Sequence, residues 1–293
     1  MPTMDLRPLS LGEILDRTFS LYRRFFLLFI GISAIPRLLV LLMNLAQLFL
    51  TSSPATLSKV PPPNGVQTAP TITSSGGIVA VAGLGLATFI VTIIAYLLSQ
   101  GATVTAVSEL YLGRTITIGD SFRRVRGELG SLFGVILLNG LVTIVAFLFL
   151  IIPGIYVMCR LFVCIPAALI ENLGPRDSLE RSFALTKGFA GRAFLILLLC
   201  FILAFGAAML FGSPFTAAMV FVKNEPGMMR LWVAMTNVGN YVANVLVTPI
   251  LTIASSIFYY DLRVRKEAFD LQLMLKPLSG AAPAVGGAPI ALS

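Results

Sequence analysis

Six long apolar runs, each separated from the next by a polar or turn-forming stretch, set the pattern of this 293-residue chain. They lie at about 25–50, 77–99, 131–152, 155–172, 193–221 and 231–260. A helix crossing a hydrocarbon core about 30 Å thick needs about 20 residues. The pattern therefore predicts an all-α, polytopic membrane protein with six transmembrane helices. Runs three and four are parted only by Pro153-Gly154, which predicts a tight turn and an antiparallel hairpin. Run five contains Gly212-Ser213-Pro214 and is expected to break or kink there.

The polar stretches before runs one, three and five align with one another. SLGEILDRTFSLYRRFF starts at Ser10, TIGDSFRRVRGELGSLF at Thr117 and GPRDSLERSFALTKGFA at Gly174. Three residues on, each carries an acid: Glu13, Asp120 or Asp177. Seven residues on, each carries an arginine: Arg17, Arg124 or Arg181. Ser10 and Thr117 suit an N-cap, and Pro175 suits the first helical position. The acid favours the positive end of the helix dipole and can close a capping box. Acid and arginine four apart share a helical face. Each segment, including the N-terminal one at 1–24, is expected to lie in the cytoplasmic interface with its apolar face toward the membrane. The chain thus reads as an interfacial helix plus a transmembrane hairpin, three times over.

Basic residues orient this arrangement. Sixteen of the 21 Lys and Arg residues fall in the segments on the side of the two termini, three on the other side, and Arg37 and Arg160 lie inside spans. The positive-inside rule then places both termini in the cytoplasm. The net charge of +8 points to anionic phospholipids of the bilayer as the partner, rather than to nucleic acid. The Ser/Thr/Pro/Gly-rich stretch at 51–76 reads as a flexible loop on the opposite side, and 277–293 as a disordered tail. A final cytoplasmic helix is expected at 261–276, entered past an interfacial belt of Tyr259 and Tyr260; it reads as a solvated helix lying along the bundle, with a docking face for a soluble protein partner as the alternative. Charges precede any apolar run at the N-terminus, so a cleavable signal peptide is not expected.

Composition narrows the chemistry further. Only 12% of residues are charged, half the share of a soluble domain at roughly 25%. The absence of histidine removes Ser-His-Asp and Cys-His arrangements and histidine metal sites. Cys159, Cys164 and Cys200 sit in apolar runs and read as reduced packing residues. No cofactor and no metal is expected. Gly83, Gly85, Gly101 and Ala102 suit close packing of the second span.

RPLSLGEILDRTFSLYRRFF at 7–26, ENLGPRDSLERSFALTKG at 171–188 and IFYYDLRVRKEAFDLQLML at 257–275 resemble a bacterial family of integral membrane proteins. That family is named after the membrane domain of glycerophosphoryl diester phosphodiesterase. The resemblance covers nearly the whole chain apart from the 51–76 loop and the tail. It implies a stand-alone bacterial inner-membrane protein without the soluble phosphodiesterase domain, whose histidines this chain lacks. It carries over no functional residues.

The candidate binding residues are polar groups inside spans. Arg37 stands near mid-membrane just after Pro36, and Arg160 is expected close to the outer end of the fourth span. A mid-membrane arginine costs about 2.5 kcal/mol or more and marks a functional site by default. Arg37 either snorkels or satisfies the backbone break at Pro36, or it binds a lipid or anionic substrate; its partner is a carbonyl freed by Pro36, an internal asparagine or a lipid phosphate. Asn237, Asn240, Tyr241, Asn244, Thr248, Thr252 and Ser255 recur at three- and four-residue steps along the sixth span. Such a stripe is either hydrogen-bonding glue between helices or the wall of a polar cavity. No catalytic residues are identified. The expected function is non-enzymatic, as a scaffold or accessory protein in envelope and lipid organisation. The alternative is a transporter or binding protein for a lipid or small anion, which requires Arg37 and the asparagine face to meet in one cavity.

Overall fold

The computed structural model describes residues 8–51, 75–221 and 226–267. The loop expected between the first two spans, the tail expected from 277, and the expected terminal helix beyond 267 lie outside them. Among the described residues the chain is all helical, without strands. In order come α1 (Leu11–Arg24), α2 (Phe26–Thr51), α3 (Ser75–Tyr111), α4 (Ile118–Val125) and α5 (Leu129–Phe149). They are followed by α6 (Ile151–Arg160), α7 (Cys164–Glu171), α8 (Pro175–Thr186), α9 (Ala190–Phe211), α10 (Ser213–Phe221) and α11 (Pro226–Glu267). Six stretches are long and apolar enough to cross a membrane: Phe26–Phe49, Val81–Tyr111, Leu129–Phe149, Ile151–Glu171, Ala190–Phe211 and Gly227–Glu267.

The three short amphipathic helices start where the aligned motif places them. At α1, Ser10 Oγ accepts from the Glu13 N–H and Glu13 Oε2 accepts from the Ser10 N–H, a complete capping box. Thr117 caps α4 through the Asp120 N–H. Gly174 begins α8 without a side-chain cap, with Pro175 in its first turn. Their burial differs from the interfacial picture. Ile14 and Thr18 of α1 have no exposed surface, and the Tyr22 hydroxyl donates to the Leu246 carbonyl at 2.9 Å. In α8, Ser178, Ser182 and Thr186 are fully buried. These faces are covered by protein, chiefly α11 for α1, and α5 and α7 for α8.

Four further boundaries depart from the pattern. The chain reverses at Leu150, where the backbone is extended, and Pro153-Gly154 lies inside α6. Proline in the first turn removes an N–H that has no partner there anyway. Gly154 instead admits α5, since a Cβ there would stand 2.5 Å from the Phe147 ring. The fourth span is itself broken between Arg160 and Cys164. The second span is longer than expected, reaching Tyr111. Finally, the sixth span and the terminal helix are one 42-residue helix. Tyr259 and Tyr260 are buried in it rather than forming a belt. The expected break after α9 is present at Gly212. Of the glycines assigned to close packing, Gly101 meets Val125 and Leu132, whereas Gly83 faces open space.

Buried side chains concentrate toward one end of the bundle: Leu97 to Leu110 of α3, Cys159 to Ala168, and Ile253 to Val264 of α11. That end is also where the charges pair. The Asp261 side chain has no exposed surface, and its oxygens accept from the Leu9 N–H at 2.7 Å and Arg265 Nε at 2.9 Å. Arg265 also donates to the Leu9 carbonyl. A second cluster joins Glu171, Arg181, Arg263 and Glu267, with the Tyr259 hydroxyl donating to Glu171 at 2.5 Å. The expected i,i+4 pairs Asp261–Arg265 and Arg263–Glu267 are both formed. Toward the other end α9 and α11 cross so closely that a Cβ on Gly239 would stand 1.8 Å from the Phe211 carbonyl oxygen.

Gly239→Val should separate these helices and lower stability by about 1–3 kcal/mol. Gly206→Ala, where a Cβ meets nothing within 4 Å, serves as the neutral comparison in a detergent denaturation series. Asp261→Asn should cost about 3–5 kcal/mol by leaving buried partners uncompensated. Breaking the exposed Arg176–Glu180 pair should change the same measurement by about 0.5 kcal/mol or less.

Candidate functional site

Arg37 is the twelfth residue of α2, a helix that continues without interruption through Pro36. One arm of its guanidinium, Nη2, donates to Thr248 Oγ1 of α11 at 2.9 Å. Its Nε is buried without a hydrogen-bond partner, and no carboxylate among the described residues pairs with it. The expected partners were a carbonyl, an asparagine or a phosphate. The structure supplies a single hydroxyl, which leaves the charge uncompensated.

The asparagines stand next to it. Asn240 and Asn244 are exposed although they sit mid-helix in α11, and Asn244 Nδ2 donates only along its own helix, to the Asn240 carbonyl at 2.8 Å. An amide that bonds within its own helix does not join neighbours. Other members of the same stripe do join them: Thr252 Oγ1 donates to Gln100 Oε1 at 2.6 Å, and the Tyr241 hydroxyl to the Ala34 carbonyl at 3.3 Å. The stripe thus both joins helices and lines the cavities, and Tyr241 does both.

Arg37, Asn240 and Asn244 line a common cavity of about 650 Å³ between α2, α3, α6, α9 and α11. Its other polar walls are Tyr96, Gln100 and Thr248, and the remainder is apolar, mostly from α9. A smaller chamber of about 190 Å³ adjoins it, sharing Arg37, Tyr96, Asn240 and Asn244 and adding Asn44, Asn237 and Tyr241. The combined size is that of a small-molecule site, typically about 300–1,000 Å³. Cys200 lines the larger cavity, and all three cysteines are buried and unpaired.

Arg160 is not part of this site. It closes α6 at the break in the fourth span rather than standing near the outer end. Its Nε donates to Thr186 Oγ1 at 3.1 Å, Nη2 to the Phe183 carbonyl at 2.5 Å and Nη1 to the Tyr156 hydroxyl at 2.8 Å. Ser182 and Thr186 in turn donate to the Arg160 carbonyl. Every arm is used, and the break freed the carbonyl that α8 reads. This arginine stitches α6 to α8.

The aligned arginines also act across helices. Arg124 pairs with Glu109 at the end of α3, and Arg181 with Glu171 at the end of α7 and with Glu267 of α11. Burial by itself would lower the Arg181 pKa, but the hydrogen bonds it donates to Glu171 and Glu267 hold it above the ordinary arginine value. Of their i,i+4 acids, Asp120 accepts from its own cap, Thr117, at 2.6 Å. Asp177 lies over the start of α8, with Oδ2 3.5 Å from where a Gly174 Cβ would be. Arg17 lies beside Tyr111 at the end of α3. The motif pins each short helix to the end of a long one.

Tyr96, Gln100 and Asn44 were not singled out from the sequence, although Tyr96 and Asn44 are polar residues within apolar runs and Gln100 directly follows one. The α9 wall carried no signal at all, because cavity-lining and lipid-facing leucine and phenylalanine read alike. The chain matches no protein-family model, no curated protein and no solved structure.

If the Arg37 charge is uncompensated, removing it should relieve the protein. Arg37→Met should raise the stability of delipidated protein by about 2.5 kcal/mol. Thermal denaturation in detergent checks the sign; a loss of stability would mean that the Thr248 bond is structural.

Proposed function

We propose that this chain is a binding or transport protein for an anionic amphiphile, set in a bacterial inner membrane with both termini cytoplasmic. The observation that carries the reading is the meeting of Arg37, Asn240 and Asn244 around one cavity at mid-helix depth. What that wall offers is one guanidinium, amides and hydroxyls against hydrocarbon, which recognise an anion attached to an apolar body. Those groups suit recognition rather than bond cleavage, so the reading is non-enzymatic. The distribution of basic residues supports the orientation, and the short helices gathered at the charged end support three interfacial-helix-plus-hairpin units on the cytoplasmic side. The family resemblance supports the bacterial envelope setting. A scaffold or accessory role is the second reading, favoured by the extent of ion pairing at the end where soluble partners would dock.

Native mass spectrometry of the gently solubilised full chain tests the proposal. Wild type should retain anionic lipid stoichiometrically, and Arg37→Ala should lose it. Arg160→Ala should retain it wherever the variant folds, because that guanidinium is already occupied by α8. The exposed Arg176→Ala variant controls for simple loss of surface charge. Equal retention by Arg37→Ala and wild type would overturn the proposal and turn attention to protein partners.

A further inference from the structure

The two adjoining chambers differ in chemistry, and the difference specifies more than an anionic amphiphile. Resting on the reading just given, we infer that the site takes a monoanionic lipid whose headgroup bears hydroxyls and no amine, with phosphatidylglycerol as its model. The headgroup occupies the smaller chamber and an acyl chain the larger.

The division of the walls carries the polarity. The residues unique to the smaller chamber include Asn44, Thr92, Asn237 and Tyr241, four polar groups from α2, α3 and α11. Those unique to the larger one are apolar apart from Gln100, Cys200 and Thr248. Arg37, Asn240 and Asn244 stand on the boundary, where a phosphate joining head to tail would lie. At about 30 Å³ per water, the smaller chamber has the room of roughly six waters. That suits a glycerol-sized group.

Charge sets the rest. Among the described residues Arg37 is the one cation in the lining of either chamber, and neither lining contains Asp or Glu. One negative charge is matched, and a second would be left unpaired. An ammonium group would find no carboxylate among the described lining residues to receive it. Hydroxyls are different, because each both donates and accepts. Primary amides do the same, and Asn44, Asn237, Asn240 and Asn244 present four of them.

Entry is from the side. Phe194, Leu198 and Phe201 line the larger cavity along α9 and remain 40%, 42% and 67% exposed, with Met158 of α6 opposite at 36%. The cavity wall and the bundle surface are thus the same side chains between α6 and α9. An acyl chain passes there from bilayer to cavity without leaving hydrocarbon.

The test uses the purified, delipidated full chain in detergent, titrated separately with phosphatidylglycerol, phosphatidylethanolamine, phosphatidylserine, phosphatidic acid and soluble glycerol 3-phosphate, and read by native mass spectrometry. Phosphatidylglycerol should bind at least about tenfold more tightly than the two amine-bearing lipids. Glycerol 3-phosphate should not compete, since it lacks the chain that fills the larger cavity; competition would mean a free-phosphate site. Arg37→Ala should bring phosphatidylglycerol down to the level of phosphatidylethanolamine. Asn44→Leu with Asn237→Leu, which alters only the smaller chamber, should keep the preference for anions and lose the preference for phosphatidylglycerol over phosphatidic acid. Equal, Arg37-dependent binding of all three anionic lipids would overturn the headgroup assignment and leave the anionic-amphiphile reading standing. Binding independent of Arg37 would overturn both.

Discussion

A carboxylate with no exposed surface must be neutralised by its surroundings, and Asp261 imposes that condition on one end of this protein. Its two oxygens are met by a backbone N–H from residue 9 and by a guanidinium one helical turn further along α11. The same guanidinium takes the carbonyl of residue 9, so both polar groups of that peptide are spoken for. The route of the N-terminal segment follows, and with it the seat of α1 on α11. The cluster around Glu171 does the same for α7 and α8. Helix packing at the charged end is thereby fixed by charge pairing as much as by apolar contact.

That rigidity allows the remainder of the bundle to be open. Where α3 and α11 carry Leu97–Leu110 and Ile253–Val264, side chains are buried and interlocked. Beyond them, α2, α3, α9 and α11 surround the cavity, and α9 and α11 come into close backbone approach at the glycine crossing. In hydrocarbon, apolar contact gives helices no net reason to associate. Buried polar pairing and close backbone approach supply that reason here, at the two ends of the cavity.

Much of this was written in the sequence in plain form. Hydrophobic run length gave six spans, and the cap residues Ser10 and Thr117 marked the starts of two short helices to the residue. Arg37 and the asparagine stripe were visible because polar groups among leucines are conspicuous. Arg160 was equally conspicuous, and only coordinates distinguish the two, since what matters is whether α8 arrives to receive the guanidinium. The turn at Leu150 was hidden because glycine and proline signal helix entry and close approach as well as reversal. The continuity of α11 was hidden because a charged run after an apolar one looks the same whether the helix stops or continues. Cross-helix partners such as Glu109 for Arg124 lie beyond any local pattern.

A cation held at mid-membrane also sits within the transmembrane electric field. Moving one elementary charge across the whole field changes its energy by about 2.3 kcal/mol per 100 mV, so a group halfway through feels about half of that. Arg37, the twelfth residue of a 26-residue helix and without a counter-ion among the described residues, is such a group. On the proposed reading, an anion seated against it would cancel the local charge and would itself cross part of the field, linking occupancy of the cavity to the membrane potential.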